Sequence, residues 1–354
     1  MLQLPETIKP MHGDYEEQHF VSMLQLNQED IAYFMSQAAA AQAYVDDPEL
    51  RGVTLLPHAE LKAVMKQPST RTGGSMATAM HKLGGNAQVI SGMESSSEGK
   101  GETSEDSWIA FATQSDVIGI RMAEDYGVAA AARTIDTART SGKLDMHVPV
   151  INLGDGQNEH PTQALGDLFA IYQKYGQFSD LTIGIVGDHE RYRAHHSLLI
   201  GAKIVGMNVL IVESKEACAP EGYIEFLGDK LVGRTDSIDE ALSSVDILYM
   251  GRNPDEYTGD DREEKIRRKQ LGEDYKRWEV DLHRLQQMKR GGALMHPRPR
   301  NGEVKPDVDS DPRSYDIPQM RKMVPVRMSV IATLLGKTIE PPIKKTGLAA
   351  RPIV

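Results

Sequence analysis

Short apolar runs and segments of helical period take turns along almost the whole chain, and this alternation restricts the fold more tightly than any other feature. Runs with the character of buried strands are "KAVM", "AQVI", "DVIGI", "VPVINL", "LTIGIVG", "NVLIVE", "DILYM" and "GGALMHP". Between them lie patterned segments such as Pro161–Tyr175 and residues 195–205. Strands alternating with helices build βαβ units, and their crossovers make the sheets parallel. The pattern breaks at "GQFSD", residues 176–180, after the helix that begins at Pro161. The spacing therefore predicts an α/β protein of two domains, residues 1–165 and 177–324, each a parallel-sheet α/β sandwich, joined by that long helix. A last helix near 326–335, in a segment of about 325–340, is expected to pack back on the first domain and complete it. The Pro- and Lys-rich residues 341–354 read as an exposed extension.

Nine of the ten residues 260–269 are charged, with mixed signs, inside an unusual stretch at 255–278. It reads as a solvated helix or loop, with a lid over a site as the alternative.

Charge narrows the partners. Against 51 Asp and Glu there are 40 Lys and Arg, a formal net charge of -11. That argues against nucleic acid or an anionic membrane as the main partner, and it makes clustered arginines informative. Cys218 is the only cysteine, so an intrachain disulfide and a cysteine metal cluster are excluded. The start has no long apolar region and no run of about 18 apolar residues occurs anywhere, so the expected location is cytoplasmic.

One junction between an apolar run and a helical pattern carries an unusual set of polar groups. In "MKQPSTRTGGSMATAMHKLGG", Val64 and Met65 end an apolar run, Ser69 or Thr70 suits an N-cap, and Met76, Met80 and Leu83 recur at helical spacing. Ser69, Thr70, Arg71 and Thr72 thus fall at a helix N-terminus, where free N–H groups and the helix dipole favour an anion. Arg71 adds a planar fork suited to phosphate. An ordinary cap is the alternative reading.

In open α/β sheets ligands bind beyond the carboxyl ends of the strands. Here those ends are rich in cations: Arg121 after "VIGI", Arg191 and Arg193 in "IVGDHERYRAHH", Arg252 after "DILYMG", and His296, Arg298 and Arg300 in "ALMHPRPR". "VINLGDGQNEHPTQAL" leads through Gly154 and Gly156 to His160, just before Pro161 at a helix N1 position, with Gln163 one turn inside. Any single arginine could be a surface ion pair. Together, in an acidic chain, they suggest a pocket for a strongly anionic ligand. Neither G-x-G-x-x-G nor G-x-x-x-x-G-K-[ST] occurs. His189, His195 and His196 could suggest a metal, but Arg191 and Arg193 would oppose a cation. No metal or cofactor is expected.

These residues resemble the aspartate and ornithine carbamoyltransferase family. The motifs are "STRT" at 69–72, "GKGET" at 99–103, Arg121, "GDGxxxHPTQ" at 154–163 and "HPRPR" at 296–300, in the family's order. Pro297 after His296 is similar to the aspartate branch. The resemblance implies transfer of a carbamoyl group from carbamoyl phosphate to the amine of an anionic amino acid, with aspartate giving N-carbamoyl-L-aspartate and phosphate, as in pyrimidine biosynthesis. It implies a phosphate site at Ser69, Thr70, Arg71 and Thr72, with Arg71 among the catalytic groups. Thr72, Arg121 and His160 would donate to the carbamoyl oxygen. Gln163, with the backbone carbonyls of Pro297 and Arg298, would hold the carbamoyl nitrogen. Arg193 and Arg252 would hold acceptor carboxylates, with Arg298 a further cation there. Lys100 and Ser96 would reach in from a neighbouring subunit of a homotrimer. His160 can serve as a neutral donor or as an imidazolium.

The chain departs from the family pattern at several points. Gly73-Gly74 follows "STRT" where the family has Arg and Ser-Phe-Glu, and a tight backbone approach is expected there. Gln67 stands where the aspartate branch has an acid, and Gly99 replaces one lysine of a common pair. Pro254 removes the amide that the branch carries two residues after Arg252, and Arg298 replaces Leu. The changes gather on the acceptor side. They leave open a carbamoyltransferase for another anionic acceptor, and a non-catalytic scaffold. The missing glycine fingerprint disfavours a dinucleotide-dependent oxidoreductase.

Overall fold

A computed structural model describes residues 2–92, 101–253 and 262–342. Ser96, Gly99, Lys100, Pro254 and most of the 341–354 extension lie outside the described residues.

The strands are β1 (Glu60–Met65), β2 (Asn86–Ser91), β3 (Val117–Met122), β4 (Val150–Asp155), β5 (Thr182–Val186), β6 (Asn208–Val212), β7 (Leu231–Thr235), β8 (Ile247–Met250) and β9 (Ala293–Met295). The first six helices are α1 (Gln28–Asp46), α2 (Thr70–Lys82), α3 (Ser104–Ala112), α4 (Gly127–Thr140), α5 (Pro161–Tyr175) and α6 (Arg193–Ile204). The rest are α7 (Glu221–Leu227), α8 (Ile238–Ser244), α9 (Arg262–Arg277), α10 (Leu282–Leu285), α11 (Asp316–Met320) and α12 (Met323–Leu334).

Two separate parallel sheets form, in the orders β2-β1-β3-β4 and β7-β6-β5-β8-β9. In both, the chain reverses its direction of travel across the sheet beside the first strand, β1 or β5. Such switch points leave a crevice at the carboxyl ends of the strands. The inner strand β8 is buried along its length, and so is β4, whose outer edge is covered by the segment at Phe20, which is why both read as unbroken apolar runs. Strand β7 was not foreseen. Its sequence "LVGRT" alternates half-buried and exposed residues at the sheet edge, so it lacks the run that marks a central strand.

Leu165, Leu168 and Phe169 of α5 share one apolar cluster with Leu61 of β1 and Ile183 of β5. Gly176, in the left-handed region at φ 74, ends this helix. Helix α12 packs on α1, α2 and α5, and it stops at Leu334. The charged segment is a helix from Arg262, and it is not wholly solvated. Leu271 and Tyr275 are buried, and Arg267 pairs with Asp188 at 2.8 Å.

Candidate active site

A cavity of about 340 Å³ opens where the two sheets face each other at their carboxyl ends. Helix α2 contributes Ser69, Arg71, Thr72 and Ser75. Strand β3 delivers Arg121, and the start of α5 brings His160 and Gln163. From the second sheet come Arg193, Arg252, Pro297 and Arg298. Thr70 lies in an adjoining cavity that shares Ser69, Arg71, Arg121 and Arg252. The structure thus brings together every described residue to which the family resemblance gave a role, while Lys100 and Ser96 are outside the described residues. With Arg327, six arginines line the cavity, and no carboxylate is among its described lining residues.

Local chemistry fixes these groups. Ser69 caps α2, its Oγ accepting from Thr72 N at 3.4 Å. Arg71 Nη2 donates to the carbonyl of Arg298 at 2.6 Å, linking the two halves. Gly154, at φ 114, lies under both cationic walls. A Cβ there would meet Arg193 Nε at 2.9 Å and Arg121 Nη1 at 3.0 Å, so only glycine lets the two guanidiniums sit this close. Of the expected close approaches at Gly73 and Gly74, only the first is found: a Cβ on Gly73 would meet Val89 Cγ1 at 2.9 Å, and one on Gly74 would meet nothing within 4 Å.

His160 is the N-cap of α5, and its backbone N–H donates to Ser197 Oγ at 2.9 Å. Burial, then the charges of Arg121, Arg193 and Arg327, hold its imidazole well below the usual histidine range. That direction favours the neutral donor of the two readings left open by the sequence. Gln163 Nε2 donates to Asp167 Oδ1 at 2.8 Å, leaving its Oε1 as the free acceptor. Arg193 is buried; its Nη1 donates to the carbonyl of Gly156 at 3.2 Å and its Nη2 to Gln67 Oε1 at 2.5 Å.

Three cations differ from expectation. Arg298 lines the cavity, but its guanidinium is held by the buried carboxylate of Asp316, at 2.8 Å from Nε and 2.6 Å from Nη2, so its charge is already paired within the chain rather than kept for an acceptor. Arg300 pairs with Asp309 at 2.5 Å and Asp316 at 2.7 Å. Arg191 pairs with Glu264 of α9 at 2.5 Å. For these two the plain ion-pair reading holds.

The histidines of "HERYRAHH" do not converge as a ligand set among the described residues. His196 directs its Nδ1 and Nε2 at carbonyls of Asn158 and His189, and His189 directs its Nε2 at Ile185 and Val212. Among the described residues the one convergent ligand set is His19, Asp136 and His147, outside the cavity. There the N–H of Val150 donates to His19 Nδ1 at 3.0 Å, which puts the proton of the neutral ring on Nε2, the atom 3.1 Å from Asp136. A protonated Nε2 has no lone pair for a metal.

Sequence reasoning missed Ser75, Asp167, Gln319 and Arg327. Arg327 is 2% exposed, and its Nη1 donates to Ser75 Oγ. Its signal was visible: a lone cation in the apolar helix "MVPVRMSVIATL". Asp167 lies one helical turn after Gln163, the spacing at which side chains meet.

Two family models cover the chain: the aspartate/ornithine carbamoyltransferase carbamoyl-P binding domain over residues 18–173, and the corresponding Asp/Orn binding domain over residues 179–334. The aspartate carbamoyltransferase catalytic subunit of Archaeoglobus fulgidus is 32% identical over 318 residues, 90% of this chain and 99% of that protein. Multifunctional protein CAD of Squalus acanthias is 31% identical over 322 residues, 90% of this chain, which spans only 13% of that much longer protein. Crystal structures of aspartate transcarbamoylase from Trypanosoma cruzi superpose with a TM-score of 0.81 at 28% identity. The complex with carbamoyl phosphate covers 92% of this chain and 98% of that one, and the complex with carbamoyl aspartate and phosphate covers 94% and 99%. The cationic cavity therefore sits on a scaffold matched over residues 18–173 and 179–334, and the chain belongs to the aspartate/ornithine carbamoyltransferase family.

Proposed function

We propose that this protein transfers the carbamoyl group of carbamoyl phosphate to the amine of L-aspartate, releasing N-carbamoyl-L-aspartate and phosphate. The observation that carries the reading is the cavity lined by six arginines and no carboxylate among its described residues. Its substrates would together bring a phosphate and two carboxylates, which suits such a lining in an acidic chain.

The chemistry follows from charge. The amine attacks the carbonyl carbon, negative charge grows on the carbonyl oxygen, and phosphate departs with the electron pair of its bond to carbon. Phosphate at the N-terminus of α2 would meet Ser69, Thr70, Arg71 and Thr72. Thr72, Arg121 and neutral His160 would donate to the oxygen, and donors preset for that charge are the main source of rate. Gln163 Oε1 and the carbonyls of Pro297 and Arg298 would accept from the carbamoyl NH2. Arg193 and Arg252 would hold the acceptor in line, which supplies much of the remaining acceleration. The departing phosphate can take the proton lost by the amine, so the step balances without a cofactor. Lys100 and Ser96 would complete the site of a neighbouring subunit in a homotrimer. A single cysteine fits a cytoplasmic enzyme.

A second reading, transfer to another anionic amine, is favoured by one observation: Pro254 stands where an amide side chain would be expected to touch the acceptor. One assay separates the two. Carbamoylated product is measured from carbamoyl phosphate with aspartate, ornithine, putrescine and other amino acids at equal concentration. Aspartate is expected to lead. Turnover of ornithine or putrescine without aspartate would sink the dicarboxylate reading, and activity on a different anionic amine alone would replace aspartate within the same pocket logic.

A further inference from the structure

At the floor of the cavity a run of hydrogen bonds joins four segments that are far apart in sequence. Asp167 Oδ1 accepts from Gln163 Nε2 at 2.8 Å and from Gln319 Nε2 at 2.6 Å, while its Oδ2 accepts from Tyr249 OH at 2.9 Å. Gln319 Oε1 in turn accepts from the backbone N–H of His296 at 2.9 Å. His296 Nδ1 accepts from the N–H of Arg298 at 2.7 Å. Asp167, Gln319 and Tyr249 are all buried.

We propose that Asp167 is a positioning residue that, through Gln319, sets the amide of Gln163 and the 296–298 loop in register as acceptors for the carbamoyl nitrogen. The inference rests on the carbamoyl phosphate reading above. An amide side chain can present either its NH2 or its oxygen, and the two ends have similar shapes. A carboxylate offers only acceptors, so it captures the NH2 of Gln163 and turns the oxygen outward. Gln319 is oriented in the same way: its NH2 goes to Asp167, and its oxygen is left for the His296 N–H. One carboxylate thus fixes the sense of both amides. The loop carrying the Pro297 and Arg298 carbonyls is tied to the same anchor. Carbamoyl phosphate has an NH2 at this end where inorganic phosphate has nothing, so the device should matter only for the former.

Aim differs from charge. Burial pushes the Asp167 carboxyl up to about 7, and a protonated carboxyl still accepts at Oδ1. Asp167→Asn also keeps one oxygen for both amides, whereas Asp167→Ala keeps none. The experiment measures the Kd of carbamoyl phosphate and of inorganic phosphate for wild type, D167A and D167N, each shown to be folded by its thermal transition. For D167A the expected result is carbamoyl phosphate weakened about tenfold, the size of one hydrogen bond, with phosphate within about twofold of wild type. D167N should stay within about threefold of wild type for both ligands. Parallel weakening of both ligands by D167A, unchanged carbamoyl phosphate binding, or equal impairment of D167N and D167A would each overturn the proposal. If D167A does not fold, Gln319→Leu takes its place and should weaken carbamoyl phosphate several-fold while sparing phosphate, with the same overturning outcomes. Wild type is titrated first. Failure to bind carbamoyl phosphate at all would overturn the underlying reading together with this one, whereas normal binding with an indifferent D167A would overturn this one alone.

Discussion

Gln67 Oε1 receives a 2.5 Å hydrogen bond from Nη2 of Arg193, which joins the loop after β1, beside the adjoining cavity, to the first turn of α6. The bond aims a guanidinium without neutralising it, since Gln67 is uncharged. Gln67→Ala should therefore leave the charge in place and loosen its direction. A hydrogen bond to a charged group contributes about 1.5–3 kcal/mol, so kcat/KM for the acceptor should fall roughly 10- to 100-fold. Carbamoyl phosphate binding, measured by calorimetry, should remain nearly unchanged. Equal losses for both substrates would contradict an acceptor-side role.

Arg71 presents a fork beside the cap of α2 and also holds the Arg298 carbonyl. Arg71→Ala should reduce turnover by at least about 100-fold, as removal of a preset donor does. The circular dichroism spectrum should match that of wild type. An active, well-folded R71A protein would remove Arg71 from the phosphate site.

Arg298 is tied to Asp316, so its loss should affect the frame more than the acceptor. Arg298→Leu leaves Arg300 on Asp316 and is expected to reduce stability by about 1–3 kcal/mol in urea unfolding. The acceptor KM should move less than about threefold. A KM raised tenfold or more, with stability intact, would restore Arg298 as an acceptor cation.

Two sets of buried groups set the pH range of the fold. Burial raises Glu159 and Asp167 to about 7, from 4.5 and 3.8. The folded chain then holds protons that the unfolded chain has lost, so this contribution is present at low pH and disappears as the pH rises through about 7. Burial also depresses His160, His189, His195 and His196 below 6.5. Their contribution is present above 6.5 and is lost as the pH falls and the unfolded imidazoles take up protons. Opposed slopes place the stability maximum at about pH 6–7. Urea midpoints across pH 4.5–9 would check this, and a midpoint still rising at about pH 9 would count against the two carboxyl shifts.

Should Lys100 complete a neighbouring subunit's site, Lys100→Ala and Arg71→Ala proteins should each be inactive alone. After subunit exchange, mixed trimers carry some sites with neither defect, and part of the activity should return. Verified exchange without recovery would count against a shared site.

The sequence was most informative where one physical requirement dominates. Buried parallel strands must be apolar throughout, so seven of the nine strands were legible on that ground; the exposed edges relax that demand, and there β2 still carried the apolar run "AQVI" while β7 had no run of that length. The cap at Ser69, the N1 proline of α5 and the strand-end arginines were legible because helix ends and sheet ends have fixed chemistry. The partners of those arginines were not. Nothing local to Arg298 indicates that Asp316 will neutralise it, or that Arg121 and Arg193 will converge over Gly154. Such pairings depend on contacts between residues tens of positions apart. Asp167 was hidden for a related reason: it acts through other side chains and never reaches the cavity wall itself.

Helix α12 follows every strand of both sheets in the chain, yet it packs on α1 and α2, which are translated before it. Every strand of the second sheet emerges before it. The first sheet's layer therefore cannot cover the inner faces of its own helices until residues 323–334 have been added, by which point the second sheet already has all its strands. The order of completion runs opposite to the order of synthesis, and a premature stop just before residue 323 would disable the half that was translated intact.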